Sequence, residues 1–248
     1  GRKLRLGGGG ANTAIPLRHA GHEVALVAPV GGDDVAEWLL AKLQGTGIDV
    51  SAVVRVLGGS TRSIVLVDPG GERTIVNLHR CRETGPPDRL AALEADAIYV
   101  RSRDLDVTAL LAEAAARSLV VAHVPPLETG SRPAHVLVGS ESDLPAEFLA
   151  DPWAAGREIA GLALRLVVVT RGERGAEAYG ASEHESVRAP HVTVVDSTAA
   201  GDVFAAGLVH ALAEGRPTRA ALETAVAWGA AAVACPGVPS RETIQGLL

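Results

Sequence analysis

Residues 192–202 read VTVVDSTAAGD and lead directly into VFAAGLVHAL at 203–212. The β-branched stretch Val192–Val195 predicts a strand that ends at Asp196. The small residues from Ser197 to Gly201 predict a tight turn, and the apolar run beyond Asp202 predicts a helix. A strand, a small-residue turn and a helix N-terminus are the parts of an anion site. Unpaired backbone N–H groups point out of the helix end, and the aligned peptide dipoles add partial positive charge there. Ala199, Ala200 and Gly201 carry too little side chain to obstruct a ligand. Asp202 places a carboxylate where a hydroxyl proton can be taken up, although an Asp at this position can also serve simply as a helix cap.

Working outward, the 248 residues are 47% hydrophobic and only 3% aromatic, with Ala, Val, Leu and Gly dominant. That balance favours helices packed on a parallel sheet over an aromatic-lined barrel. Net charge is −6 and the basic residues are scattered, so no nucleic-acid footprint is present. Cys81 and Cys235 lie far apart without metal-ligand spacing, which fits a reduced, cytoplasmic compartment. No apolar run has spanning length and no signal peptide is recognisable, so a soluble protein without membrane contact is expected. Methionine is absent throughout, and the chain opens on GRKLRL; residues are expected to be missing near this end.

In chain order, Gly7–Gly10 lead into a helix over 11–20 that carries Pro16 and ends at Gly21. The glycine spacing matches neither dinucleotide nor P-loop fingerprints. A strand is expected at 23–27, then a turn at Gly31–Asp34 and a helix at 35–44. The alternation at 63–68 and 73–79 around ProGlyGlyGlu (69–72) predicts a β-hairpin, standing apart from the surrounding pattern as a lid or a dimerisation edge. Further elements are expected as helix 86–94, strand 97–100, helix 106–117, strands 119–122 and 135–138, and a helix near 152–164. Strand 166–170 follows, then a turn at 171–175, and helices 200–214 and 218–233 close the chain. The alternation implies α/β architecture: one doubly wound, mostly parallel sheet with ligands at the strand C-terminal ends, and a small β lid from about 1–6 and 60–80.

Three stretches taken together resemble the ribokinase-like (PfkB) sugar kinase family over nearly the whole chain. They are Gly10–Ala14 running on through Gly21 to Gly31, Thr170–Ala176, and above all Asp196–Asp202, against a family pattern of roughly D-T-x-G/A-A-G-D. The resemblance implies Mg2+- and ATP-dependent phosphorylation of a sugar hydroxyl. Asp202 would be the base, and the backbone of Ala199, Ala200 and Gly201 the anion hole. Thr170, Gly172 and Gly175 match the turn bordering the nucleotide, and the segment near Trp228 and Gly237 would flank the adenine. Gly8, Gly9, Asn12 and Asp33 match the sugar-binding segment. The family's Asn-x-x-Glu motif aligns with Ser140–Asp143, making Ser140 a nucleotide contact and Glu141 and Asp143 the magnesium carboxylates. The family's opening strand, with its sugar-binding Asp, has no counterpart in this chain.

Arg101 and Arg103 follow strand 97–100, where the family's sites face the sugar, and a guanidinium there suits a phosphate, sulfonate or carboxylate. Lys3, Asn77 and Arg103 together look like the anion-recognising set of the sulfofructose kinase branch. These observations lean toward an anionic ketose or a sugar phosphate, with plain fructose or ribose as the neutral alternative. A nucleoside or other small alcohol on the same fold, and a non-catalytic sugar sensor, are competing readings. His79, His123 and His191 are read as structural. Pairing through the lid makes a homodimer the expected assembly.

Overall fold

The computed structural model describes residues 4–67, 73–102, 107–125 and 131–248. Its centre is a six-stranded sheet of β5 (Ala97–Val100), β6 (Leu119–His123), β7 (Val136–Ser140), β8 (Leu166–Thr170), β9 (Ala176–Tyr179) and β10 (His184–Val187). Strands β5 to β8 are parallel and adjacent in chain order; β9 and β10 add an antiparallel hairpin at the far edge. The parallel strands read as apolar runs because helices cover both faces.

Strand periodicity divides the core. Val121, Val136, Val138, Leu166 and Val168 face α6 (Ala200–Ala213) and α7 (Thr218–Val233). Val120, Ala122, Leu137, Val167 and Val169 face the side of α3 (Thr108–Ala114), α4 (Ala146–Ala150) and α5 (Pro152–Ala160). Gly207 brings α6 and α7 together, since a Cβ there would lie 3.0 Å from both Ala225 Cα and Trp228 Cγ. Against α6 also lies α1 (Gly9–His19), which carries Pro16 in its interior. A short parallel pair, β1 (Ala28–Val30) with β2 (Val53–Arg55), flanks α2 (Asp34–Gly45).

The hairpin is formed by β3 (Arg62–Val67) and β4 (Arg73–His79), antiparallel and outside the main sheet. Its root is a polar knot. Asp33 caps α2 through the Ala36 N–H (3.1 Å) and also accepts from the Ser60 N–H (3.1 Å), the Ser60 hydroxyl (2.6 Å) and the Arg62 guanidinium. These donors, the Ser60 hydroxyl foremost, hold its carboxyl well below the usual carboxylate range. Gly31 closes the knot: its N–H donates to Ser60 Oγ at 3.1 Å, and an added Cβ would lie 2.3 Å from Ser60 N.

Several expectations are corrected. The strand at 23–27 is an isolated bridge at Ala25, and the ladder starts at Ala28. Helix 86–94 is a 3-10 turn, Asp88–Ala92. Residues 192–195 form no ladder: the Val195 and Asp196 N–H groups donate to Val233 O at the end of α7, and Val194 and Val195 stay exposed. Residues 4–6 do not join the hairpin; Arg5 pairs with Asp196 at 3.2 Å instead. Residues 1–3 and the hairpin turn at 68–72 lie outside the described residues.

Gly31→Ala should destabilise the protein by about 1–3 kcal/mol, because the added methyl meets backbone that has no rotamer to move. In a domain of this size that lowers the melting temperature by roughly 2–10 °C. Gly45→Ala, where a Cβ meets nothing within 4 Å, should leave it unchanged or raise it. Calorimetry showing equal melting temperatures for Gly31→Ala and the unsubstituted chain would contradict the knot.

Candidate active site

The C-terminal ends of the parallel strands open into a cleft of about 110 Å³. Strand β5 and the residue after it supply Tyr99 and Arg101, and β6 supplies His123. Ser140 and Asp143 follow along β7 and the turn beyond it, Thr170 ends β8, and Gly201 and Asp202 come from the first turn of α6. A wider groove of about 580 Å³, lined by Trp153, Arg157 and Glu183 among others, shares none of these residues. Leu164 and Arg165 place it at the N-terminal end of β8, away from the C-terminal ends of the parallel strands, so the smaller cleft is the candidate.

Asp202 is held on every side. Asn12 Nδ2 donates to its Oδ2 at 2.9 Å, and Arg101 Nε lies 3.4 Å from its Oδ1. The Thr13 hydroxyl donates to the Asp202 backbone carbonyl at 3.1 Å. Asn12 and Thr13 are themselves buried on α1. Gly9 fits because it has no side chain: a Cβ would lie 2.6 Å from Arg101 Cγ and 3.1 Å from Asp202 Oδ1. Gly8, at φ 97°, forms the N-terminal boundary of α1 and accepts from the Asn12 N–H at 2.9 Å. Of the residues expected to bind sugar, Gly8, Gly9, Asn12 and Arg101 are therefore assembled around the carboxylate.

The start of α6 is uncapped by any side chain. Ala199 stands at φ 72°, the only non-glycine residue with positive φ among those described. A left-handed alanine costs about 1–2 kcal/mol, and such strain persists only where the surroundings enforce it. Here it turns the chain so that the N–H groups of Gly201 and Asp202 meet no acceptor among the described residues. A Cβ on Gly201 would meet nothing within 4 Å, so the space before these donors is open. The Asp196 carboxylate braces the turn, accepting from the Thr198 N–H at 2.8 Å. Open donors at a helix end, with room before them, fit a phosphate.

On the nucleotide side, the Thr170 hydroxyl donates weakly to Gly139 O at 3.4 Å, and Ser140 Oγ lies 2.9 Å from Ser142 Oγ. Gly172 (φ 57°) and Gly237 (φ 91°) both front open space. Gly175 has a structural reason instead: a Cβ there would lie 1.9 Å from Val187 O, so its absence lets the β9–β10 hairpin close.

Three site expectations are corrected by this geometry. The Glu141 carboxylate is engaged by Arg171 and Arg174 and is not available as a magnesium ligand. Trp228 is fully buried, stacked on His210 at 5.2 Å, and leaves no ring surface open to a ligand. Asp33 is the anchor of the hairpin root, its two oxygens taken by four donors, and is not a sugar ligand. Asn77 sits on the hairpin, accepting from the Ser63 hydroxyl at 2.9 Å, and Lys3 and Arg103 lie outside the described residues. No cluster of three or more metal-ligating side chains occurs among the described residues. Of the two expected magnesium carboxylates, Asp143 faces the cleft and Glu141 does not, and one carboxylate beside phosphate oxygens is an ordinary magnesium environment.

Sequence reasoning missed Tyr99 and set aside His123. Tyr99 lies two residues before Arg101 on a strand, so period two already put both on one face. Burial, and next the Asp202 charge, push its hydroxyl pKa up, so it stays a neutral donor. His123 ends β6 in line with the other strand ends.

Comparison with known proteins finds relatives along nearly the whole chain. Along 99% of its length the chain is 29% identical to the ATP-dependent ribose-1-phosphate kinase of Halopiger xanaduensis, covering 87% of that protein. It is 27% identical to the 1-phosphofructokinase of Rhodobacter capsulatus, with 99% and 85% covered. The ribokinase of Cryptococcus neoformans, solved with ADP, superposes with a TM-score of 0.80 at 22% identity, over 100% of this chain and 90% of that one, which shows a shared fold. The model of the pfkB family carbohydrate kinases matches residues 2–243, and the chain belongs to that family.

Proposed function

We propose that this ATP-dependent carbohydrate kinase transfers the γ-phosphoryl group to an anionic sugar, with Asp202 as base and the open N–H groups of Gly201 and Asp202, at the end of the expected 199–201 turn, as the anion hole; the Ala200 N–H is taken by Ser197 O at 3.4 Å. ATP and Mg2+ are the cofactors of the family, and they supply the phosphoryl group and neutralise its charge. The observation that carries the assignment is the Asp202 carboxylate set beside uncapped N–H groups at one helix end. As the acceptor oxygen bonds to phosphorus, its proton passes to Asp202 and the bond to the leaving diphosphate oxygen breaks. The helix N-terminus holds the charge that builds on the phosphoryl oxygens. Asp143, Ser140, Thr170, Gly172 and Gly237 border the space for nucleotide and metal.

Arg101 argues for an anionic acceptor. Only its Nε has a partner, Asp202, and its two terminal nitrogens have no acceptor among the described residues. A free guanidinium edge matches a phosphate or sulfonate. Two of the relatives above are named for phosphorylated sugars, which supports the same choice. A non-catalytic sensor has no need of a base held by three neighbours. Free Cys81 and Cys235 fit a cytoplasmic setting, and no helix among the described residues is long and apolar enough to cross a membrane.

The hairpin supports a second part of the proposal, a homodimer. Ile64, Val65, Leu66, Val76 and Leu78 are all exposed on this two-stranded sheet. Among the described residues no third strand joins the hairpin, so both edges stand unpaired, and a second copy covers edge and apolar surface together.

Turnover measured on a panel of neutral and phosphorylated pentoses and ketoses tests the function. Asp202→Asn should lower kcat by roughly 10²–10⁴-fold with sugar binding retained; full activity in that variant would remove Asp202 from the role of base. Arg101→Ala should weaken kcat/KM for a phosphorylated acceptor well beyond its neutral counterpart, and equal losses on both would remove the anion pocket. Light scattering should give twice the chain mass, falling to the chain mass on Leu66→Asp with Leu78→Asp; a monomeric unsubstituted protein would contradict pairing through the lid.

A further inference from the structure

His123 stands where the two halves of the cleft meet. Strand β6 lies between β5, which brings Arg101, and β7, which leads to Asp143. Its Nδ1 is 2.9 Å from the Val124 carbonyl oxygen. A carbonyl only accepts, so Nδ1 carries a proton there. In the neutral ring the lone pair is then on Nε2, and no donor reaches Nε2 among the described residues. Burial first, and the Arg101 charge second, lower the pKa of the ring; Asp143 and Asp202 act in the opposite sense without reversing it. Tyr99, which also faces this space, stays neutral. At neutral pH the cleft therefore presents an imidazole acceptor.

A packing histidine on a Val- and Ala-rich strand has no use for such a lone pair. The ring is half-buried and lines the cleft, so its lone pair is open to whatever the cleft holds. The other cleft groups toward the acceptor are a carboxylate that takes the reacting hydroxyl, and the donors of Arg101 and Tyr99. A polyol brought to Asp202 has further hydroxyl protons that need an acceptor. Tyr99 is a neutral hydroxyl that can donate as well as accept, whereas His123 Nε2, with Nδ1 protonated, is a neutral atom that can only accept.

We propose that His123 is a specificity-determining residue, its Nε2 accepting a hydrogen bond from a hydroxyl of the acceptor sugar other than the one phosphorylated. This rests on the assignment of the cleft as a sugar kinase site. Sites built to hydrogen-bond a hydroxyl discriminate against analogues that lack it, so His123 makes the enzyme read hydroxyl pattern as well as charge.

The full chain, 15N-labelled at histidine and free of nucleotide, can be titrated with D-ribose, D-fructose and ribose 1-phosphate. The His123 Nε2 resonance should move upfield with at least one of them while Nδ1 stays in place. An Nε2 resonance unmoved by all three would overturn the proposal. In turnover, His123→Leu should raise KM for the sugar roughly tenfold, the loss of one good hydrogen bond, with kcat and KM for ATP within about threefold. His123→Gln, which keeps an acceptor, should recover part of that loss. A defect of His123→Leu in kcat or in KM for ATP alone would overturn the assignment to the sugar. Failure of the unsubstituted enzyme to phosphorylate any sugar would strike the kinase reading instead, and the nucleotide-free titration separates that failure from this one.

Discussion

The Asn12 amide and the Asp202 carboxylate, 2.9 Å apart, join segments 190 residues distant in the chain. Asn12 is buried on α1 and Asp202 is half-buried at the start of α6, so the bond exists only once the two helices have packed. The Thr13 hydroxyl repeats the connection one residue on, at the Asp202 backbone carbonyl. A carboxylate that must accept a proton at a set point needs this kind of support, because small displacements of a base lose much of its effect. Gly9 and Gly207 serve the same end by absence of side chain, one letting Arg101 and Asp202 approach and the other seating α7 on α6.

The sheet carries the rest of the site on a rigid floor. Each parallel strand ends in a residue that faces the cleft, and the sheet order fixes their sequence across it: Tyr99 and Arg101, then His123, Ser140 and Thr170. On the proposed assignment, acceptor chemistry collects toward β5 and α1, and nucleotide chemistry toward β7 and β8. The left-handed Ala199 lies at the point where both meet α6. Its strain accompanies a turn that leaves the Gly201 and Asp202 N–H groups open, the donors proposed to meet the transferred phosphoryl.

Much of the fold was legible because the period of the apolar residues matched the element. Strand 166–170, helices 200–214 and 218–233, and the 63–79 hairpin all stand close to where alternation and composition placed them. Val192–Val195 misled because β-propensity reports a fit to a pleated, half-buried surface; here the Val195 and Asp196 N–H groups are taken by the Val233 carbonyl at the end of α7 instead of by a neighbouring strand. Glu141 misled for a spatial reason, since its partners Arg171 and Arg174 lie about thirty residues on. Trp228 was readable and was misassigned: it shares the spacing of the buried residues Ala221, Ala225 and Ala232, which marks the packed face of α7. His123 was the opposite case, a histidine at a strand end whose free nitrogen only the structure reveals.

The central claim is that α1 holds the base on α6, and a double-mutant cycle on kcat tests it most directly. Asn12→Ala, Asp202→Asn and the double variant would be compared under saturating ATP and sugar. If Asn12 acts by holding Asp202, its removal should slow the enzyme strongly when Asp202 is present and add little once Asp202 is gone, a coupling of about 1–3 kcal/mol. Losses that simply add would contradict the account and show Asn12 and Asp202 acting independently.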